Sequence, residues 1–127
     1  MNKEQATIVE ATKKARAILQ KQRGHPVEPH YSMCGAVSDL ALRLLFQPNL
    51  KTHEFRVPDG DHVVIQKSDK STVFDAQYKQ FIPPEKRDGL PDVLIVQPKK
   101  FRRLKLTLQA MGMNKPTAKA YAKAVLK

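Results

Sequence analysis

The chain is predicted to fold as an α+β domain in which N-terminal helices pack on a small antiparallel sheet and further helices follow at the C-terminus. Three observations predict this. Apolar residues recur at helical spacing near both ends of the chain, within Lys3–Gln22, Met33–Phe46 and Lys99–Met111. Between these segments, His62–Gln66 and Thr72–Ala76 alternate apolar and polar residues on either side of a polar stretch, Lys67–Ser71. A length of 127 residues is enough for one core of helices layered on a sheet and needs no second, so residues 1–127 form a single domain.

In the first helix, Ile8, Thr12, Ala15 and Leu19 make the inward stripe and Gly24 is the stop. Gly24–His30 carries two prolines, each of which forces its predecessor towards extended backbone, so the segment is a loop. The second helix is the buried, central one: Val37, Leu40, Ala41, Leu44 and Leu45 fall on one face and Pro48 ends the run. Ser32 is its expected N-cap, which puts Cys34 in the first turn among unpaired backbone N–H groups, where the helix dipole favours a thiolate. Strands follow at Thr52–Val57, His62–Gln66, Thr72–Ala76 and Val93–Val96, the first two joined by the turn Pro58-Asp59-Gly60. Residues Ile82–Pro91, with three prolines and Gly89, form an irregular crossing. The third helix turns Phe101, Leu104, Leu108 and Met111 inward and stops at Gly112; Asn114 caps a fourth whose Ala118, Tyr121, Ala122 and Val125 face the core.

The hairpin sets up the chemistry. A loop of two residues, Asp69 and Lys70, or of four, Ser68–Ser71, gives one register, with Val64 opposite Asp75 and His62 opposite Gln77. His62 and Asp75 are then diagonal neighbours on one face, within reach of a hydrogen bond between imidazole and carboxylate. A three-residue loop would put them on opposite faces. Gln77 is either a polar support in the same cleft or a plain surface glutamine.

A formal net charge of +11 calls for an acidic partner, whether protein, nucleic acid or membrane surface. The bias is uneven: no acid follows Asp92, whereas Lys99, Lys100, Arg102, Arg103, Lys105, Lys115, Lys119, Lys123 and Lys127 all do. Cys34 is the single cysteine, which excludes an internal disulfide and a cysteine-rich zinc site. Taken alone it is either a small core residue or a nucleophile. His25, His30 and His53 do not make a metal site, since no carboxylate or thiol stands at ligand spacing near them, and no cofactor motif occurs. No apolar run has the length of a membrane span, and the N-terminus lacks a signal-peptide core; the chain is expected to act as a soluble protein.

A cysteine at a helix start, a histidine on a strand and an acid on the next strand are the parts of a thiol nucleophile system. The thiolate attacks a carbonyl or carboxamide carbon, the imidazole moves the proton, and the carboxylate holds the imidazole in the useful tautomer. The stretches Tyr31-Ser32-Met33-Cys34-Gly35-Ala36, Asp61-His62-Val63-Val64-Ile65 and Val73-Phe74-Asp75-Ala76-Gln77-Tyr78 resemble the papain-like cysteine-fold group. Within it they are most similar to the papain-fold toxin domains of bacterial polymorphic toxins and to deamidase or protease effectors. The likeness runs from Ala15 to Phe81 and implies a papain-like core over about 15–97, with the basic helices at 99–127 added to it. It also implies Cys34 as nucleophile, His62 as base and Asp75 as orienting acid. The group's oxyanion glutamine has no counterpart at Tyr31, Ser32 or Met33, which leaves the Cys34 backbone N–H as donor.

The resemblance thus implies peptide hydrolysis, glutamine deamidation or transglutamination on an acidic target protein, reached in the cytoplasm of a target cell by delivery within a larger secreted protein. A cognate immunity or inhibitor protein would accompany such a toxin. On this reading Asp75→Asn leaves stability nearly intact while cutting turnover. A second function class is an RNA-binding or tRNA-cleaving domain that lays its basic C-terminal helices on phosphates, although only Phe101 and Tyr121 interrupt the basic stretch as stacking residues. A third is a basic adaptor in which Cys34 fills the core.

Overall fold

The computed structural model describes residues 2–24, 34–45, 47–97 and 100–126, without the side chains of Arg23 and Cys34. Helices α1 (Lys3–Arg23) and α2 (Cys34–Leu45) precede strands β1 (Leu50–Val57), β2 (Gly60–Lys67), β3 (Val73–Asp75) and β4 (Leu94–Val96); α3 (Phe101–Met111) and α4 (Lys115–Val125) close the chain. The class is α+β. Two 3₁₀ turns, Tyr78–Phe81 and Pro84–Lys86, lie in the crossing between β3 and β4.

Local signals account for the ends of these elements. Asn2 and Gln5 form a reciprocal capping box at the start of α1, and Gly24 ends it in the left-handed conformation (φ 71°) that a side chain would oppose. The β1–β2 turn holds only Pro58 and Asp59, with Val57 opposite Gly60. Between β2 and β3 the loop is the four residues Ser68–Ser71: Lys67 N donates to Thr72 O at 3.0 Å, and Asp69 Oδ1 accepts from Ser71 N at 2.9 Å. Ile65 pairs with Phe74 and Gln66 with Val73, the register that the hairpin reading requires. All four strands form one antiparallel meander in chain order. At α4, Asn114 Oδ1 accepts from Thr117 N at 2.9 Å and serves as N-cap.

Strand alternation divides the core into two layers. Ile65 and Phe74 face α1 and α2, packing with Ile8, Ala15, Val37 and Ala41. Phe55, Val64 and Val73 face the other way, against Tyr121, Ala122 and Val125 of α4 and Leu108 of α3. The hydrophobic core draws on both ends of the chain: Ile8 and Val9 are buried at one and Ala118, Tyr121 and Val125 at the other. Two residues expected inside lie outward. Leu44 is 39% exposed because, among the described residues, α2 packs chiefly on α1 and the sheet, and its apolar stripe is broader than that contact. Phe101 is 36% exposed because it opens the first turn of α3, and the inward contacts begin at Leu104. Among the described residues no helix is long and apolar enough to cross a membrane.

Candidate active site

The β2–β3 hairpin brings the two predicted polar partners together. His62 Nε2 lies 2.6 Å from Asp75 Oδ2, and both residues are 0% exposed. Asp75 has further donors: Gln77 N reaches Oδ1 at 3.0 Å, and the Tyr121 hydroxyl donates to Oδ2 from α4. On the other side of the imidazole, Gln80 Nε2 lies 3.2 Å from His62 Nδ1. An amide nitrogen only donates, so this arrangement assigns Nδ1 as an acceptor and leaves the ring proton on Nε2, aimed at the carboxylate. Phe55 and Phe81 present edges to the imidazole at centroid distances of 5.4 and 4.8 Å. The pair thus sits in an aromatic, low-dielectric enclosure that strengthens its hydrogen bonds.

Burial, seconded by the negative charge of Asp75 and the hydrogen bond to it, raises the Tyr121 phenol well above its ordinary range. Burial also raises Tyr78, whose hydroxyl donates to Pro91 O. Both phenols therefore stay protonated and serve as fixed donors. An imidazole with its N–H held by a carboxylate and an acceptor lone pair on its other nitrogen is the geometry of a general base.

Helix α2 begins at Cys34, with no acidic residue in its first turn to offset the dipole. Its first turns lie over β2: a Cβ built on Gly35 would meet Val63 Cγ2 at 3.8 Å, and Ser38 Oγ donates to Val63 O at 3.5 Å. Val63 directly follows His62, yet the two leave the strand on opposite faces, Val63 towards α2 and His62 towards α4. The structure thus unites His62 with Asp75 and sets the start of the cysteine-bearing helix over the same strand. The Cys34 thiol lies outside the described residues, as do the expected cap Ser32, the loop histidines His25 and His30, and Tyr31 and Met33. His53 Nε2 lies 3.3 Å from Ala124 O, tying β1 to α4.

No protein-family model, curated protein or solved structure matches the chain.

Three participants were not legible as such. Tyr121 reads from sequence as a core residue, and it is one; the signal that pointed further is that a buried tyrosine hydroxyl needs an acceptor. Gln80 lies on the 3₁₀ turn after β3, where no periodicity marks it. Arg16 occupies the same helical row as Ile8 and Thr12 and is buried. Its guanidinium pairs with Asp92 Oδ2 at 2.6 Å, donates to Gln77 Oε1 at 3.0 Å, and also reaches the carbonyls of Ala76 and Asp92. Gln77 is accordingly buried and not a surface glutamine: its side chain turns to Arg16, and its backbone N–H supports Asp75.

Proposed function

We propose that the chain is a cysteine-dependent acyl-transfer enzyme of papain-like type, with Cys34 as nucleophile, His62 as proton carrier and Asp75 as the group that orients it. The observation that supports this most is the enclosed His62–Asp75 pair with Nδ1 as acceptor. Because α2 packs on the sheet face opposite to the imidazole, this step requires the Cys34 thiol to reach past β2 to His62 Nδ1 and Gln80 to withdraw from it; the thiol proton then passes to Nδ1 as sulfur forms a bond to the carboxamide carbon. The C–N bond then breaks and the proton leaves with the amine or ammonia. Water or a second amine cleaves the thioester, and the choice between them separates hydrolysis or deamidation from transglutamination. The carboxylate supports the imidazolium formed in the first step, and Tyr121 and Gln77 N hold the carboxylate.

The test is intact-mass analysis of acidic candidate proteins after incubation with the chain, with Cys34→Ala as control. Deamidation shows as a gain of about one dalton, proteolysis as fragments, and transfer to an amine as the corresponding adduct, all absent with the variant. Cleavage of tRNA by both wild type and Cys34→Ala, with every protein mass unchanged, would replace this reading with the RNA-directed one.

A further inference from the structure

Among the described residues no strand pairs with the outer edge of β4, and α3 runs beside it. Between them lies a groove of about 350 Å³ whose lining includes Leu94, Val96, Lys100, Arg103, Thr107 and Met111. Its floor is aliphatic and its rim cationic. Lys100 and Arg103 are exposed, and no ion pair among the described residues engages either of them. The β1 edge differs: its neighbouring groove is lined by Arg56, which is already paired with Asp61 at 3.1 Å, and by Lys123.

We propose that the β4–α3 groove binds an extended, acidic polypeptide segment, which adds to the β4 edge through its backbone, seats alternate apolar side chains on the aliphatic floor and meets Lys100 and Arg103 with its carboxylates. Charge complementarity selects this occupant. A second copy of the chain would bring another +11 and be repelled. A nucleic acid would find no aromatic side chain in the lining on which to stack a base, and it has no strand backbone to offer the edge. The proposal is independent of the chemistry assigned to Cys34.

The experiment uses the full chain carrying Cys34→Ala, so that no acyl transfer can contribute. A fluorescein-labelled peptide alternating glutamate and valine is the probe, read by polarisation, with hydrogen exchange to locate it. The peptide should bind at low salt and release as salt rises, and it should slow exchange of the Leu94–Val96 amides. A lysine–valine peptide should not bind. Adding Arg103→Glu should weaken binding on the order of tenfold, and Thr107→Trp, which fills the groove from an exposed position, should block it. Lys123→Glu, the same charge change beside the other edge, should leave affinity within about twofold. The proposal fails if the glutamate–valine peptide does not bind, if its lysine counterpart binds as well, or if Arg103→Glu and Lys123→Glu weaken binding alike. It also fails if exchange slows elsewhere than at β4, or if a single-stranded RNA of equal charge displaces the peptide through the same residues.

Discussion

The two faces of the sheet are built from the same strands but hold together differently. Towards α1 and α2, Ile65 and Phe74 pack with Ile8, Val37 and Ala41, and Arg16, the one buried charge on this face among the described residues, stands at the rim, where its partner Asp92 still reaches solvent. Towards α4, the neighbouring strand positions carry His62 and Asp75, fully enclosed and hydrogen-bonded in series to Tyr121 and Gln80. Apolar residues of similar volume would fill that space without the several kcal/mol per ion that burying charge costs. The first face follows from volume and area. The second spends stability on a fixed imidazole, and that is why we read chemistry there.

If that contrast is sound, an isosteric change on the α4 face should outweigh a volume change on the other. Asp75→Asn keeps the shape but turns an amide N–H₂ group towards donors, since His62, Tyr121 and Gln77 N all donate to this carboxylate. It should cost on the order of 3 kcal/mol in urea unfolding, whereas Phe74→Leu should cost about 1–2 kcal/mol. This replaces the expectation from sequence that Asp75→Asn is nearly neutral, because the carboxylate has three donors and not one. Equal losses would erase the distinction between the faces.

A smaller effect sharpens it. Tyr121→Phe removes one donor from Asp75 and should cost about 1–2 kcal/mol. It should also change the alkaline limb of stability. The folded phenol is held protonated above its ordinary range, whereas the unfolded one ionises near its usual value of 10.0. Above that pH the unfolded state binds fewer protons, so wild-type stability falls as pH rises until the folded phenol ionises as well. Urea midpoints from pH 9 to about 11 should fall more steeply for wild type than for Tyr121→Phe. Parallel slopes would show that this hydroxyl is not the buried donor described.

The smallest expected effect concerns Thr117 Oγ1 and Gln66 Nε2, buried polar atoms on the α4 side with no hydrogen-bond partner among the described residues. Thr117→Val should be neutral or stabilising by about 1 kcal/mol, because it removes a hydroxyl that gains nothing in the fold. A clear loss by thermal melting would mean that the hydroxyl is satisfied after all.

The sequence showed local order well and sidedness poorly. The Lys67–Ser71 turn and the alternation around it specify the β2–β3 register, and with it the approach of His62 to Asp75, because a slip of one residue would turn the two side chains to opposite faces of the sheet. The stripes of α1 and α4 and the stops at Gly24 and Gly112 are likewise local signals. Which helix pair covers which face is not local: amphipathic helices stand at both ends of the chain, and only the fold decides that Tyr121, 46 residues beyond Asp75, closes the site. Arg16 escaped notice for a related reason. A cation on a lysine-rich helix reads as solvated until carbonyls from the distant Ala76 and Asp92 converge on it.

On the proposed function the His62–Asp75 pair serves a thiol at Cys34, and the single cysteine makes the effect of His62 on that thiol measurable. Folded wild type and His62→Gln are alkylated with iodoacetamide at pH 7, followed by intact mass, alongside a small free thiol. Circular dichroism is the control that both proteins are folded. Wild type should react about tenfold or more faster than the free thiol, and His62→Gln should lose the excess. A wild-type thiol that reacts no faster than the free one, or only after urea unfolding, would contradict the proposed function and leave His62 and Asp75 as a structural pair.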